Sequence, residues 1–407
     1  MSESFLPGDM LPDAPALARR GPHAVGVTTR TFEIAEAIDL GASTAARVVR
    51  GSRPITAELW YPAAEGVVEA CTYADRLGRV AGDAQRPDRA FTFAGRAARD
   101  AAAAPLRGSL VVVSHGYPGS RVLLSYLCEH MASCGRVVMA LDHPGAVHGR
   151  VGAFADTLLH RATDVIGAMD AALDLDAHDP LLAGRIDARR VALVGYSMGG
   201  YGVLNVAGAG YADAFVEHAR TVPHGLLADR ALSAQHFAAD PRVHAVVAFA
   251  PWGGQHRVWE GAGLDALRVP TLFVAGSDDD VVGWDPGVKT LFEAAGGERQ
   301  LLVYDACRHN VAPNPPPAAA ASHLEDWRHY AEPVWDLRRL NNLNQHFVRA
   351  FLDRHLDGAP APALDVIEVA SAGGYRTGED GTVVADADHW WGFRPRTALG
   401  VELYRRG

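Results

Sequence analysis

Residues 191–202 read VALVGYSMGGYG, an apolar run that passes directly into G-Y-S-M-G-G. A serine with glycines two positions away on both sides, set between a strand and a helix, has the context of a nucleophile elbow. Such a turn forces Ser197 into strained dihedrals, and Gly195 and Gly199 lack side chains where neighbouring backbones crowd it. The strain lifts the hydroxyl into a cleft at the N-terminus of the next helix. Amides at that helix end point at a reacting carbonyl, so the Met198 N–H is the first candidate oxyanion donor. The chemistry such a serine performs is attack on an acyl carbon.

A serine hydroxyl is a poor nucleophile near neutral pH and needs a base, itself oriented by an acid. Behind this kind of elbow the partners follow in the order serine, acid, histidine. After VPTLFVAG comes S-D-D-D-V-V, and Asp279, three residues past Gly276, is the chosen acid, with Asp278 and Asp280 as rivals. LLVYDACRHN then places His309 at the mouth of the following strand, where one imidazole nitrogen can meet Ser197 and the other the carboxylate. A second oxyanion donor is expected after the strand Ser109 to Ser114, where S-H-G-Y-P-G offers the Tyr117 amide, with its ring toward the acyl pocket. Trp252 and Gln255 in A-P-W-G-G-Q-H are expected at the edge of the cleft as substrate contacts, with ordinary aromatic packing as the competing reading. His115 is expected to brace the oxyanion loop. His143 and His148 in DHPGAVHG are expected to shape a loop, because no third ligand stands at a recognisable metal spacing. No metal site is therefore expected at these histidines.

The elements that must position these residues follow from hydrophobic periodicity. Two early strands, VTTRTFEI and PITAELWY, precede a polar, Ala-rich connection over about 64–107. Apolar runs at 109–114, 136–141, 190–194, 243–249, 269–275 and 300–304 then alternate with helical patterns at 121–133, 154–176, 286–295 and 333–355. Strands alternating with helices give parallel βαβ units, hence an α/β protein with a doubly wound, mostly parallel sheet. The segments 207–241 and 311–332 break the rhythm and read as lid-like insertions. Residues 1–25 read as an arm lying on the body or on a partner subunit of a homo-oligomer, and 26–407 as a single domain with an extension from about 365.

Composition removes whole classes of function. Of the 38 basic residues only Lys289 is a lysine, which leaves little room for Schiff-base or P-loop chemistry. The formal charge of −10 comes without a basic block, so nucleic acid is not an expected partner. Cys71, Cys128, Cys134 and Cys307 form no C-x-x-C pair and are read as free thiols. No stretch reaches the length of a membrane span and the start lacks a basic region followed by an apolar one, so the expectation is a soluble, cytoplasmic protein.

With L-W-Y-P-A at 59–63, S-H-G-Y-P-G-S, D-H-P-G at 142–145 and G-Y-S-M-G-G in place, the chain resembles the platelet-activating-factor acetylhydrolase and dienelactone-hydrolase-like branch of the α/β hydrolases, over roughly Pro22 to His355. The resemblance implies an α/β-hydrolase fold and hydrolysis of a small-molecule carboxylic ester through an acyl-enzyme, without metal or cofactor. It maps nucleophile, acid and base onto Ser197, Asp279 and His309. Tyr117 and Met198 also match the oxyanion pattern of cutinase-like polyesterases. Dienelactone hydrolases proper use a cysteine nucleophile, which is absent here, and the two insertions follow no pattern of the branch. The rival readings are an amidase or acyltransferase using the same three residues, and a non-catalytic binding protein on a hydrolase scaffold.

Overall fold

The computed structural model describes residues 5–44, 46–78, 86, 88–219, 238–365, 376–377, 383–384, 390–394 and 396–407. Its centre is a ten-stranded sheet. In chain order the main strands are β1 (Val25–Ile38), β2 (Arg50–Pro62), β3 (Gly108–Ser114), β4 (Val137–Asp142), β5 (Ile186–Tyr196), β6 (Val243–Phe249), β7 (Thr271–Gly276), β8 (Arg299–Tyr304) and β9 (Val401–Arg406). In space they run β9-β8-β7-β6-β5-β3-β4-β2-β1, with the two-residue strand Ala98–Arg99 beyond β1. The six strands from β3 to β8 are mutually parallel, while β2 meets β4 and β9 meets β8 in antiparallel fashion. Strands β3, β7 and β8 are buried almost throughout, as parallel strands covered on both faces must be.

The main helices are α1 (Ser125–Ser133), α2 (Phe154–His178), α3 (Met198–Val206) and α4 (Leu337–Asp357). From β3 the chain goes through α1 to β4 on one side, then returns through α2 to β5 on the other. The order therefore reverses between β3 and β5, and in open α/β sheets the crevice beyond the strand ends at such a reversal is where ligands bind. Ser197 follows β5 and the S-H-G-Y-P-G loop follows β3, so the fold places both at that crevice.

The expected elements are present with shifted ends, each for a local reason. Helix α4 starts at Leu337, not 333, because Asp336 caps it by accepting the Arg338 amide at 2.9 Å, and it stops at Gly358 in the left-handed region. Helix α1 starts four residues later than its pattern, because Asp142 takes the Arg121 amide at 2.7 Å and holds 121–124 as turns. The helix expected over 286–295 is a π-helical turn at Trp284–Lys289 followed by a short helix, Thr290–Ala294. Gly287 breaks it, since its backbone is non-helical and a Cβ there would stand 2.2 Å from the Val282 carbonyl. The 64–107 connection is more than a loop: Cys71–Leu77 and Arg89–Gly95 form an antiparallel hairpin. Their alternating burial is the signal that the Ala-rich surroundings obscured.

The described part of the N-terminal arm lies on the body. The Leu11 amide bonds Asn342, the Leu17 amide bonds His346, and Asp9 pairs with Arg96. Within the 207–241 insertion a short helix, Asp213–Ala219, is described, and 220–237 lies outside the described residues. No helix among the described residues is long and apolar enough to cross a membrane.

Candidate active site

Ser197 sits at φ 54°, ψ −114°, a region that non-glycine residues avoid, and its backbone is pinned on both sides. Its amide donates to the Phe249 carbonyl at 2.9 Å, and its carbonyl accepts from the Trp252 amide at 3.0 Å, so the elbow is tied to the end of β6. Crowding explains the glycines. A Cβ on Gly195 would stand 2.3 Å from the Gly199 carbonyl, one on Gly199 1.9 Å from the Ser114 carbonyl, and one on Gly200 2.7 Å from Pro251 Cα.

The Ser197 Oγ lies 3.1 Å from His309 Nε2, and His309 Nδ1 lies 2.9 Å from Asp279 Oδ2. The other Asp279 oxygen accepts the Val281 and Val282 amides, each at 2.9 Å. Burial alone would raise the Asp279 pKa, but the hydrogen bond from His309 and those two amides outweigh it and hold the carboxyl below its ordinary range. An ionised Asp279 fixes the proton of a neutral His309 on Nδ1 and leaves Nε2 as the acceptor facing Ser197. The two rival acids are excluded by direction: Asp278 is exposed, and Asp280 turns outward to pair with Arg308 at 2.6 Å. Gly276 is what lets the two loops meet, since a Cβ there would stand 2.1 Å from the Cys307 carbonyl.

The S-H-G-Y-P-G loop is braced from below. The buried His115 accepts the His143 amide on Nε2 at 3.3 Å, so its proton is on Nδ1, which donates to the Gly116 carbonyl at 2.7 Å. That carbonyl belongs to the same peptide plane as the Tyr117 N–H. Arg161, wholly buried, donates to the His115 carbonyl at 2.9 Å and reaches the Gly116 carbonyl at 3.5 Å. Burial and the Arg161 charge hold His115 well below its usual pKa, so it is neutral and acts as a strut. His143 bridges Ser114 Oγ and Asp164, both at 2.9 Å. Burial pushes its pKa down to about 4, so the bond to Asp164 is that of a neutral imidazole, and the Asp164 charge is matched by Arg53 at 2.8 Å. His148 donates toward the Gly78 carbonyl at 3.1 Å and faces His329. Among the described residues no group of three or more His, Cys, Asp or Glu could hold a metal.

Trp252, half-buried, stands in an aromatic row, its ring 5.4 Å from Phe154, which in turn lies 5.4 Å from Tyr117. Gln255 is occupied otherwise: its oxygen accepts the Gly253 amide at 2.9 Å and its nitrogen reaches the Val281 carbonyl at 3.5 Å. It thus links the loop after β6 to the loop carrying Asp279. Three residues that composition and motif do not mark also belong here: Arg161, Asn310 and Glu332. Asn310 accepts the Tyr196 hydroxyl at 3.1 Å and donates to the Arg328 and Ala331 carbonyls, and Glu332 accepts the Arg308 and Asn310 amides. Only the identity of Asn310, adjacent to the histidine, hinted at such a role.

A solved ferulic acid esterase from Streptomyces cinnamoneus superposes with a TM-score of 0.56, covering 88% of this chain and 97% of its own, at 21% identity, a likeness of fold. Two family models match in overlapping stretches: platelet-activating factor acetylhydrolase, isoform II, over residues 15–149, and PET hydrolase-like over residues 90–219. The chain has the α/β-hydrolase fold. Among its relatives are the cutinase est2 of Thermobifida alba, 35% identical over 99 residues, and cutinase 2 of Thermobifida cellulosilytica, 34% identical over 99 residues. Each match takes in 24% of this chain, and the chain spans about a third of the length of these relatives, 29% and 33% respectively.

Proposed function

We propose that this α/β hydrolase is a serine esterase that cleaves carboxylic esters through an acyl-enzyme. The observation that carries the reading is the unbroken hydrogen-bonded line from Ser197 through His309 to Asp279, 3.1 Å and 2.9 Å long in its two steps. His309 Nε2 takes the hydroxyl proton as Ser197 attacks the acyl carbon. Asp279 keeps the imidazole in the needed tautomer and stabilises the imidazolium. The Met198 amide, at the first position of α3, and the Tyr117 amide receive the oxyanion, each worth about 3–4 kcal/mol of the barrier. Held by His115 and Arg161, the Gly116–Tyr117 peptide needs no reorientation as charge develops. His309 then returns its proton to the leaving alcohol, and water, deprotonated by the same nitrogen, releases the acid.

The row Tyr117, Phe154 and Trp252 supports a substrate with an aromatic or extended apolar part. The names of the relatives, cutinases and PET hydrolase-like proteins, point the same way. The test is incubation of wild type and Ser197→Ala with a fluorophosphonate and a series of p-nitrophenyl esters of increasing acyl length. Stoichiometric labelling and turnover are expected in the wild type, with both lost in a folded Ser197→Ala. Normal turnover in the mutant would sink the assignment.

A further inference from the structure

The loop bearing His309 leaves β8 and receives no regular secondary structure of its own before the short helices at 318–328. Its backbone at the imidazole is held instead by one side chain from far along the chain. Glu332 accepts the Arg308 amide on Oε2 at 2.8 Å and the Asn310 amide on Oε1 at 2.7 Å, so its two oxygens grip the residues on either side of His309. Glu332 is 8% exposed, and among the described residues no arginine, lysine or histidine forms an ion pair with it. Two amides therefore replace most of its water, and a buried carboxylate stands within electrostatic reach of His309.

We propose that Glu332 is a positioning residue for His309, tying down the backbone on both sides of the imidazole and setting a negative charge against the imidazolium formed during reaction. The inference rests on the serine esterase reading and deepens it. Its chemistry has two separable parts. The bidentate grip fixes where the ring stands, and misplacement of a catalytic group by about 1 Å can cost 10²-fold in rate. The charge attracts the imidazolium that forms on His309 during the reaction and does not act on the neutral ring in the same way. The other titratable groups facing the carboxylate are the Cys307 thiol and the Tyr196 phenol, both kept protonated by burial, while the Arg308 guanidinium is turned away to Asp280. Burial also pushes the Glu332 carboxyl above the usual range, with the Arg308 and Asn310 amides opposing that rise.

The experiment is the pH dependence of the second-order rate of fluorophosphonate labelling, which needs no knowledge of the natural ester, in wild type, Glu332→Gln and Glu332→Asp. In Glu332→Gln the charge is gone and one amide meets an NH2 group, so labelling should slow by about tenfold or more. The midpoint of its pH profile should also fall by about half a pH unit or more. In Glu332→Asp the charge stays but the reach is short, so the rate should fall while the midpoint holds. Wild-type rate and midpoint in Glu332→Gln, whatever its melting temperature, would reduce Glu332 to a packing residue and overturn the proposal. If the Gln variant does not fold, the Asp variant decides: labelling at the wild-type rate overturns it. A wild type that is not labelled at Ser197 would instead bring down the esterase reading beneath it.

Discussion

At the end of β5 the backbone is held by crowding, with carbonyls 1.9 and 2.3 Å from where Cβ atoms of Gly199 and Gly195 would stand. At the end of β8 it is held by hydrogen bonds from side chains, Glu332 to the amides around His309 and Asn310 to the carbonyls of 328 and 331. The first arrangement is written in glycines that stand within six residues of one another, although two of the walls they meet, Ser114 and Pro251, come from other strand ends. The second joins residues 22 and 24 positions apart and is written in polar side chains. A nucleophile that must sit in a forbidden conformation needs walls that cannot move. A base that accepts and returns a proton, as proposed for His309, needs only a fixed ring and a favourable field, which a polar clamp can supply.

The sharpest way to break this contrast is Gly199→Ala. Its methyl would meet backbone and not a flexible side chain, so the substitution should cost about 3 kcal/mol or more and abolish esterase turnover. Denaturant midpoints and p-nitrophenyl ester hydrolysis measure both, and an active, equally stable variant would mean the elbow is not wall-held.

Asp279→Asn comes next. With the Nδ1 proton no longer directed to a carboxylate, kcat should fall by about 10³- to 10⁴-fold with the fold retained. The same variant tests the sign of the acid response. The folded pKa of Asp279 is depressed, so the stability it contributes is present above the unfolded value of about 3.9 and lost as pH falls through the lower folded one. Melting temperatures taken between pH 5 and pH 3 should therefore decline less steeply in Asp279→Asn than in wild type. A parallel decline would remove Asp279 from the acid response.

The smallest effect belongs to a bond that joins the two regions beside the Ser197–His309 pair. Tyr196 donates its hydroxyl to Asn310 at 3.1 Å, so Tyr196→Phe should cost about 1 kcal/mol of stability and less than about tenfold in kcat/KM. A larger loss, measured by the same ester assay, would show that the elbow and the clamp are not independently held.

The same contrast explains which features are legible in the sequence. The alternation of strands and helices and the elbow at Ser197 follow from periodicity and from glycines, and the same reading sets Asp279 and His309, the proposed acid and base, just past the ends of successive strands, because apolar runs and forbidden dihedrals leave their mark within a few residues. Glu332 and Arg161 left no such mark: a glutamate in a Pro- and Trp-bearing stretch and an arginine in an amphipathic helix read as solvated until the fold buries them. The hairpin at Cys71–Leu77 and Arg89–Gly95 was hidden by an alanine-rich setting that weakens the apolar and polar alternation. Gln255 is expected from its position as a substrate contact, and in the fold its amide holds two loops together, which residue type alone does not reveal.

Strand β9 carries a consequence of another kind. Without it β8, buried along nearly its whole length, would end the sheet as an apolar ribbon with its amides and carbonyls unpaired, a template for any other extended chain. By pairing in antiparallel register from Arg299 to Tyr304, β9 moves the open border outward to a strand bearing Glu402, Arg405 and Arg406, with Arg405 paired to Glu298. The strand that leads to His309 is thereby shielded by charge against aggregation, and colloidal solubility is protected at the border closest to the base.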